Sequence, residues 1–298
     1  MFSGAFTALI TPFKNGKVDV EALEGLVEFQ IRQGINGLVP CGTTGETPAL
    51  SESEDRLVVE TVVRVAEGRV PVVAGTGSNS TDMAIKYTKM AEKAGADGSL
   101  QVAPYYNKPT QEGLFRHFAA IAENTSLPLI LYNIPGRTSV TISPETMARL
   151  AEIPNIVGVK DSTLSMNMVS DVKHLCGEDF DILSGDDPMT LPLMALGGTG
   201  VISVASNVAP AAVSDMVEAL NSGDWYRGSE LHYELLPLFR ALFLETNPIP
   251  VKAAASLLGL CSDEMRLPLV PMSGENLRKL QEIMENTTHL LPTPEEVL

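Results

Sequence analysis

The chain has 298 residues, 44% of them hydrophobic, and its 21 basic against 37 acidic side chains leave a net charge of −16. So acidic a surface repels nucleic acid and anionic membranes, which excludes both as partners, while the length suffices for one large α/β domain or a barrel with a small appendage. Cys41, Cys176 and Cys261 are widely spaced and odd in number, no basic segment leads into an apolar core at the N-terminus, and no apolar run spans a membrane, so a reduced, cytoplasmic protein is expected.

Gly4 to Ile10 reads as a first strand, ended by Thr11-Pro12. A helix follows from Asp19, with Leu23, Leu26, Val27 and Ile31 on one face, and Gly34 stops it. Gly37 to Pro40 is the second strand and opens into Gly42-Thr43-Thr44-Gly45-Glu46. Ser51 is placed to cap the next helix, which carries Leu57, Val58, Thr61, Val62 and Val65. Val70 to Ala74 is the third strand, and a helix spans Thr81 to Ala94.

The same alternation continues. Strands are expected at Asp97–Val102, Leu127–Tyr132, Ile156–Lys160, Asp181–Ser184 and Gly200–Ser203. Helices are expected at Gln111–Asn124, Pro144–Ala151, Met166–Leu175, Pro188–Leu196 and Ala209–Asn221. Eight strand–helix units at intervals of about thirty residues point to a closed (β/α)8 TIM barrel over residues 1–223. An open doubly wound sheet is the alternative, and it needs a reversal of strand order. From Asp224 onward the strand signals stop, and residues 224–298 read as a C-terminal helical domain.

In a barrel the loops after strands lie on the catalytic face. Gly42 to Glu46, Tyr105-Tyr106-Asn107, Tyr132-Asn133, Gly136-Arg137-Thr138, Lys160, Gly185-Asp186-Asp187 and Ile202-Ser203 all fall there. Lys160 is the residue of most interest. It closes a strand of otherwise apolar or small residues, and if its side chain turns into the protein interior it is a candidate nucleophile toward carbonyls. The plainer reading has it snorkel to solvent or pair with Asp161. The plainer reading of Gly75-Thr76-Gly77 is turn chemistry, because a serine stands at position 80, where a dinucleotide loop needs its third glycine. His117, His174, His232 and His289 are scattered without an i, i+4 pair, so no metal is expected.

Five segments then occur in order: G-T-T-G-E at 42–46, P-Y-Y-N at 104–107, Y-N-I-P-G-R-T at 132–138, G-V-K-D at 158–161 and N-P-I-P-V-K at 247–252. Together they resemble the 4-hydroxy-tetrahydrodipicolinate synthase (dihydrodipicolinate synthase) family of class I, pyruvate-dependent aldolases, over essentially the whole chain. The resemblance implies a lyase of lysine and diaminopimelate biosynthesis that condenses pyruvate with L-aspartate-4-semialdehyde. It implies no cofactor, only a covalent imine between pyruvate and Lys160. Tyr132 would shuttle protons, with Thr43 and Tyr106 as its hydroxyl relay. Amides near Thr43 and Thr44 would hold the pyruvate carboxylate. Arg137 would grip the semialdehyde carboxylate, and Gly185 and Ile202 would line the site through their backbone carbonyls. The resemblance further implies a homotetramer, a dimer of dimers in which Tyr106 reaches a neighbour's site. Weak or no inhibition by L-lysine is expected, because Glu52, Asp55 and Met83 depart from the family's lysine-sensitive pattern. Two other readings stand beside it: an aldolase for sugar acids, and a barrel that has lost catalysis.

Overall fold

The computed structural model describes residues 1–297. Its strands are β1 (Gly4–Ala8), β2 (Phe13–Lys14), β3 (Lys17–Val18), β4 (Gly37–Val39), β5 (Val73–Gly75), β6 (Gly98–Val102), β7 (Leu129–Asn133), β8 (Ile156–Asp161), β9 (Asp181–Ser184) and β10 (Gly200–Ser203). Its helices are α1 (Val20–Arg32), α2 (Glu52–Ala66), α3 (Thr81–Ala94), α4 (Gln111–Ala122), α5 (Pro135–Thr138), α6 (Pro144–Ala151), α7 (Met166–Cys176), α8 (Thr190–Ala195), α9 (Pro210–Asn221), α10 (Trp225–Ala241), α11 (Ile249–Leu257), α12 (Gly274–Asn286) and α13 (Pro294–Val297).

Eight strands form one sheet in the order β4-β1-β10-β9-β8-β7-β6-β5, with parallel neighbours throughout. A parallel bridge between Leu38 and Val72 joins its two ends, so the sheet closes into a (β/α)8 barrel. Strand order follows chain order round the ring, and the open-sheet alternative falls away. Among the described residues no helix is long and apolar enough to cross a membrane.

Alternation along the strands divides the core into layers. Phe6, Val39, Val73, Leu100, Ile130, Leu183 and Ile202 fill the barrel interior. Leu129, Leu131, Val159 and Ile182 point the other way, against Phe118, Leu150 and Val172 of the surrounding helices. Local signals set several boundaries. The Glu54 amide donates to Ser51 Oγ at 3.3 Å while the Ser51 amide donates to Glu54 Oε2 at 2.9 Å, a reciprocal cap for α2. Asp19 caps α1 by accepting from the Ala22 amide at 3.2 Å.

The β2–β3 hairpin was not anticipated, although its turn is Asn15-Gly16, both residues with positive φ. That dipeptide is the standard sequence signal for a tight hairpin, and two-residue strands carry too little alternation to support it. The hairpin matters because the C-terminal region packs on it. The Phe13 ring lies between Lys252 Nζ, 4.1 Å from its centroid, and Arg266 Cζ at 4.4 Å. Helices α10 to α12 share one apolar core with α1, α2 and α9, through Leu231, Leu235, Leu238, Phe239, Val251 and Leu280. The helical appendage is therefore seated on the barrel by a continuous hydrophobic contact.

Candidate active site

A cavity of about 870 Å³ opens at the C-terminal ends of the barrel strands, from Ala8 of β1 round to Val204 after β10. Thr43, Thr44, Tyr132, Arg137, Lys160 and Gly185 all line it. Lys160 and Tyr132 are register partners on the adjacent parallel strands β8 and β7, so both side chains turn into the barrel at the same level. Lys160 Nζ lies 4.3 Å from the centroid of the Tyr132 ring, and each residue is only 6% exposed. Among the described residues the lysines in ion pairs are Lys86, Lys173, Lys252 and Lys279; Lys160 is not one of them. Asp161 is turned to the opposite face, where it accepts from the Thr163 amide at 3.1 Å and the Thr163 hydroxyl at 2.8 Å. Neither snorkelling nor pairing with Asp161 describes Lys160.

Gly185 is small for a reason. A Cβ there would lie 2.1 Å from Ser162 Oγ and 2.9 Å from Lys160 Cε, so any larger residue displaces the lysine. Ser162 Oγ is buried and has no hydrogen-bond partner among the described residues, and the residue lines the cavity. Gly75 and Gly77 are also more than turn residues. A Cβ on Gly75 would meet Cys41 O at 2.2 Å, one on Gly77 would meet Val102 N at 2.3 Å, and both glycines line the cavity. They let neighbouring strand ends approach closely beneath the site.

The glycine-rich loop after β4 folds on itself through Gly45 N to Gly42 O at 3.1 Å and Glu46 N to Thr43 O at 3.1 Å. Among the described residues the Thr43 and Thr44 amides find no protein acceptor, which leaves two consecutive donors at the cavity wall for an anion. Thr44 Oγ1 accepts from Asn247 Nδ2 at 3.0 Å, and the Asn247 carbonyl accepts from Arg137 Nη2 at 3.2 Å. Asn247 thereby ties the anion loop to Arg137. The sequence marked it only as part of a motif. Arg137 sits on α5 and not in an irregular loop; Thr138 Oγ1 donates to Ile134 O at 3.0 Å and Val140 O at 2.9 Å, holding that single turn.

A second anchor lies below the loop. Glu46 holds a left-handed backbone with φ 55, and its Oε1 accepts from Lys252 Nζ at 2.5 Å, with Lys252 wholly buried. Burial pushes the Lys252 ammonium down from its usual range, and the Glu46 carboxylate opposes that shift. The Arg266 amide donates to Glu46 Oε2 at 3.3 Å. A lysine inside the stretch Ile249–Ala255, whose other residues are all apolar, was the available signal for this buried pair.

Two expected residues lie elsewhere. Ile202 is in the barrel interior, paired with Phe6 and 1% exposed, and is not part of the cavity wall. Tyr106 is 90% exposed, with φ 72, while its neighbour Tyr105 lines the cavity. The Asn107 side chain donates to Asn79 O at 2.8 Å and fixes that loop. Among the described residues no hydrogen bond joins the hydroxyls of Thr43, Tyr132 and Tyr106. Asp55 is held by the Thr47 hydroxyl at 2.9 Å, and burial pushes its carboxyl up to about 6.

A lysine in no ion pair among the described residues, at the C-terminal mouth of a parallel barrel and against a phenol, is an arrangement suited to lyases that activate ketones as imines. The sequence comparisons give the family. The profile of the Dihydrodipicolinate synthetase family matches residues 1–287, and the chain belongs to that family. It is 56% identical over 284 residues to the 4-hydroxy-tetrahydrodipicolinate synthase of Nitratidesulfovibrio vulgaris, covering 95% of this chain and 97% of that one. The dihydrodipicolinate synthase structure from Aquifex aeolicus superposes with a TM-score of 0.96 at 51% identity, covering 98% of this chain and 100% of that one. The enzyme from Acinetobacter baumannii, solved as a chloride-inhibited complex with pyruvate, gives 0.95 at 45% identity, covering 97% and 99%.

Proposed function

We propose that Lys160 carries the family's reaction, the condensation of pyruvate with L-aspartate-4-semialdehyde to 4-hydroxy-tetrahydrodipicolinate in lysine and diaminopimelate biosynthesis. The observation that supports this best is the pairing of Lys160 and Tyr132 on neighbouring strands, with the lysine in no ion pair. The Lys160 amine adds to the pyruvate ketone, and loss of water leaves an imine. The imine draws electrons from the adjacent methyl group, which gives up a proton to form an enamine. The enamine carbon attacks the aldehyde of the second substrate. The amine of that substrate then attacks the imine carbon, releases Lys160 and closes the ring. No metal or organic cofactor enters this sequence, and the reading is of a cytoplasmic enzyme.

Tyr132 is placed to pass protons at the imine, because its ring is in contact with Nζ. The free amides of Thr43 and Thr44 suit the pyruvate carboxylate. Gly185 leaves room for the lysine. Ile202 would act only through its backbone. Arg137, oriented by the Asn247 carbonyl, suits the carboxylate of the semialdehyde. Arg137→Ala raises the KM for the semialdehyde more than that for pyruvate, by the loss of a charge-assisted pair worth about 2 kcal/mol. Steady-state kinetics with each substrate varied in turn checks this, and equal effects on both would count against the assignment.

Tyr106 fits the same scheme as a residue given to a neighbouring chain, in a homotetramer built as a dimer of dimers. Its exposure supports that reading, since a tyrosine so open in one chain gains most from burial by another. Mixing Tyr106→Phe chains with Lys160→Ala chains then restores part of the activity, because some sites receive both native residues. No recovery after verified subunit exchange would restrict Tyr106 to its own chain.

A further inference from the structure

Ser162 stands two residues beyond Lys160, so the two side chains share the side of the β8 line that turns into the barrel. Asp161, between them, faces the other way. The backbone around Ser162 is fixed from both sides. The Ser162 amide donates to Asn133 O at 2.9 Å, toward β7, and the Gly185 amide donates to Asp161 O at 2.7 Å, from β9. The Ser162 hydroxyl and the Lys160 stem meet over Gly185, where one added Cβ would strike both Ser162 Oγ and Lys160 Cε. On the same wall, Thr44 Oγ1 accepts from Asn247, Thr47 Oγ1 donates to Asp55 and Thr138 Oγ1 donates to Ile134 O. Ser162 Oγ is buried and has no partner among the described residues. A buried hydroxyl without a protein partner marks a place where a bound group can pair.

The ring geometry says which group. Strands β4 and β8 stand opposite one another, with three strands between them on either side. Pyruvate held by its carboxylate on the Thr43 and Thr44 amides, after β4, therefore turns its ketone carbon toward Lys160. That carbon bears two further groups, a methyl and an oxygen. Tyr132 flanks the lysine from β7, and Ser162 flanks it from the Gly185 side. The methyl must lose a proton and belongs beside the phenol, which leaves the oxygen to the serine. Resting on the function proposed above, we propose that Ser162 is a further catalytic residue, which binds the ketone oxygen of pyruvate while Lys160 adds to the carbonyl. As the N–C bond forms, the carbonyl π pair moves onto oxygen. The Ser162 hydroxyl donates a hydrogen bond to that developing charge and keeps its own proton. Counted from the lysine ammonium, two protons pass by way of Tyr132 to the oxygen. The C–O bond breaks with its electron pair leaving on water, and the nitrogen lone pair closes the imine.

The test mixes enzyme with pyruvate alone and quenches it in borohydride at increasing times, which reads the rate of adduct formation on Lys160. In Ser162→Ala that rate falls by about tenfold or more, the scale of losing one donor to a developing oxyanion. The value of kcat/KM for the semialdehyde, which reports only the steps after imine formation, stays within about twofold. The denaturant midpoint of Ser162→Ala is no lower than the parent's, because the hydroxyl supports no contact in the fold. An unchanged trapping rate, an equal fall in kcat/KM for the semialdehyde, or a lowered midpoint overturns the proposal. Absence of any pyruvate adduct on Lys160 of the unmodified enzyme would instead overturn the reading beneath it.

Discussion

Lys160→Arg folds, forms no adduct with pyruvate and loses turnover by on the order of four powers of ten or more, the scale on which enzymes lose rate when a covalent nucleophile is removed. Arginine keeps the positive charge and much of the length of lysine. It remains protonated at any pH the protein tolerates and offers no lone pair to a ketone. The substitution therefore separates two roles for a cation at this position. If Lys160 merely attracted the pyruvate carboxylate, arginine would serve as well or better. If it supplies a nucleophile, arginine leaves the cavity charged and inert. The site favours the second role, because Lys160 meets the Tyr132 ring and no carboxylate. Initial rates with both substrates, beside a circular dichroism spectrum matching the parent's, give the answer. Turnover within about tenfold of the parent would remove the imine mechanism.

Lys252→Met lowers stability by about 3–5 kcal/mol, the usual cost of leaving one partner of a buried ion pair uncompensated. Lys252 is 0% and Glu46 3% exposed, so the abandoned carboxylate has no water to turn to. Replacing both partners, as Glu46→Gln with Lys252→Met, recovers a large part of the loss, because no charge is then stranded. Denaturant midpoints for the single and double variants measure this. A loss below about 1 kcal/mol in the single variant would show that Glu46 escapes burial by rearrangement. The consequence for function lies in the loop. Glu46 holds its left-handed backbone two residues after Thr44, so the variant also raises the KM for pyruvate more than that for the semialdehyde.

Much of this was legible in the sequence, for physical reasons that differ along the chain. Strands such as Leu129–Asn133 and Ile156–Asp161 are buried on both faces and read as short apolar runs, and their parallel order follows from the helices between them. Lys160 and Arg137 stood out because a charge interrupted or closely followed such a run. The closed ring was legible from eight uninterrupted strand–helix units, but not the contacts that make it, such as the pairing of Gly4 with Gly200 and the single bridge from Leu38 to Val72. Nor was the contrast between Asp186 and Asp187. Both follow β9, yet Asp186 lines the cavity while the Asp187 carboxylate accepts from the Val204 and Ala205 amides. Lys252 was hidden for a related reason. Composition assigns lysines to the surface, and this one is inside because Glu46 meets it there.

The most direct measurement is reductive trapping. The unmodified enzyme is incubated with pyruvate and borohydride, digested, and its peptides are weighed. The account predicts one added reduced pyruvate, confined to the peptide that contains Lys160 and dependent on pyruvate. No adduct, or an adduct carried by another lysine while Lys160 stays unmodified, would contradict it.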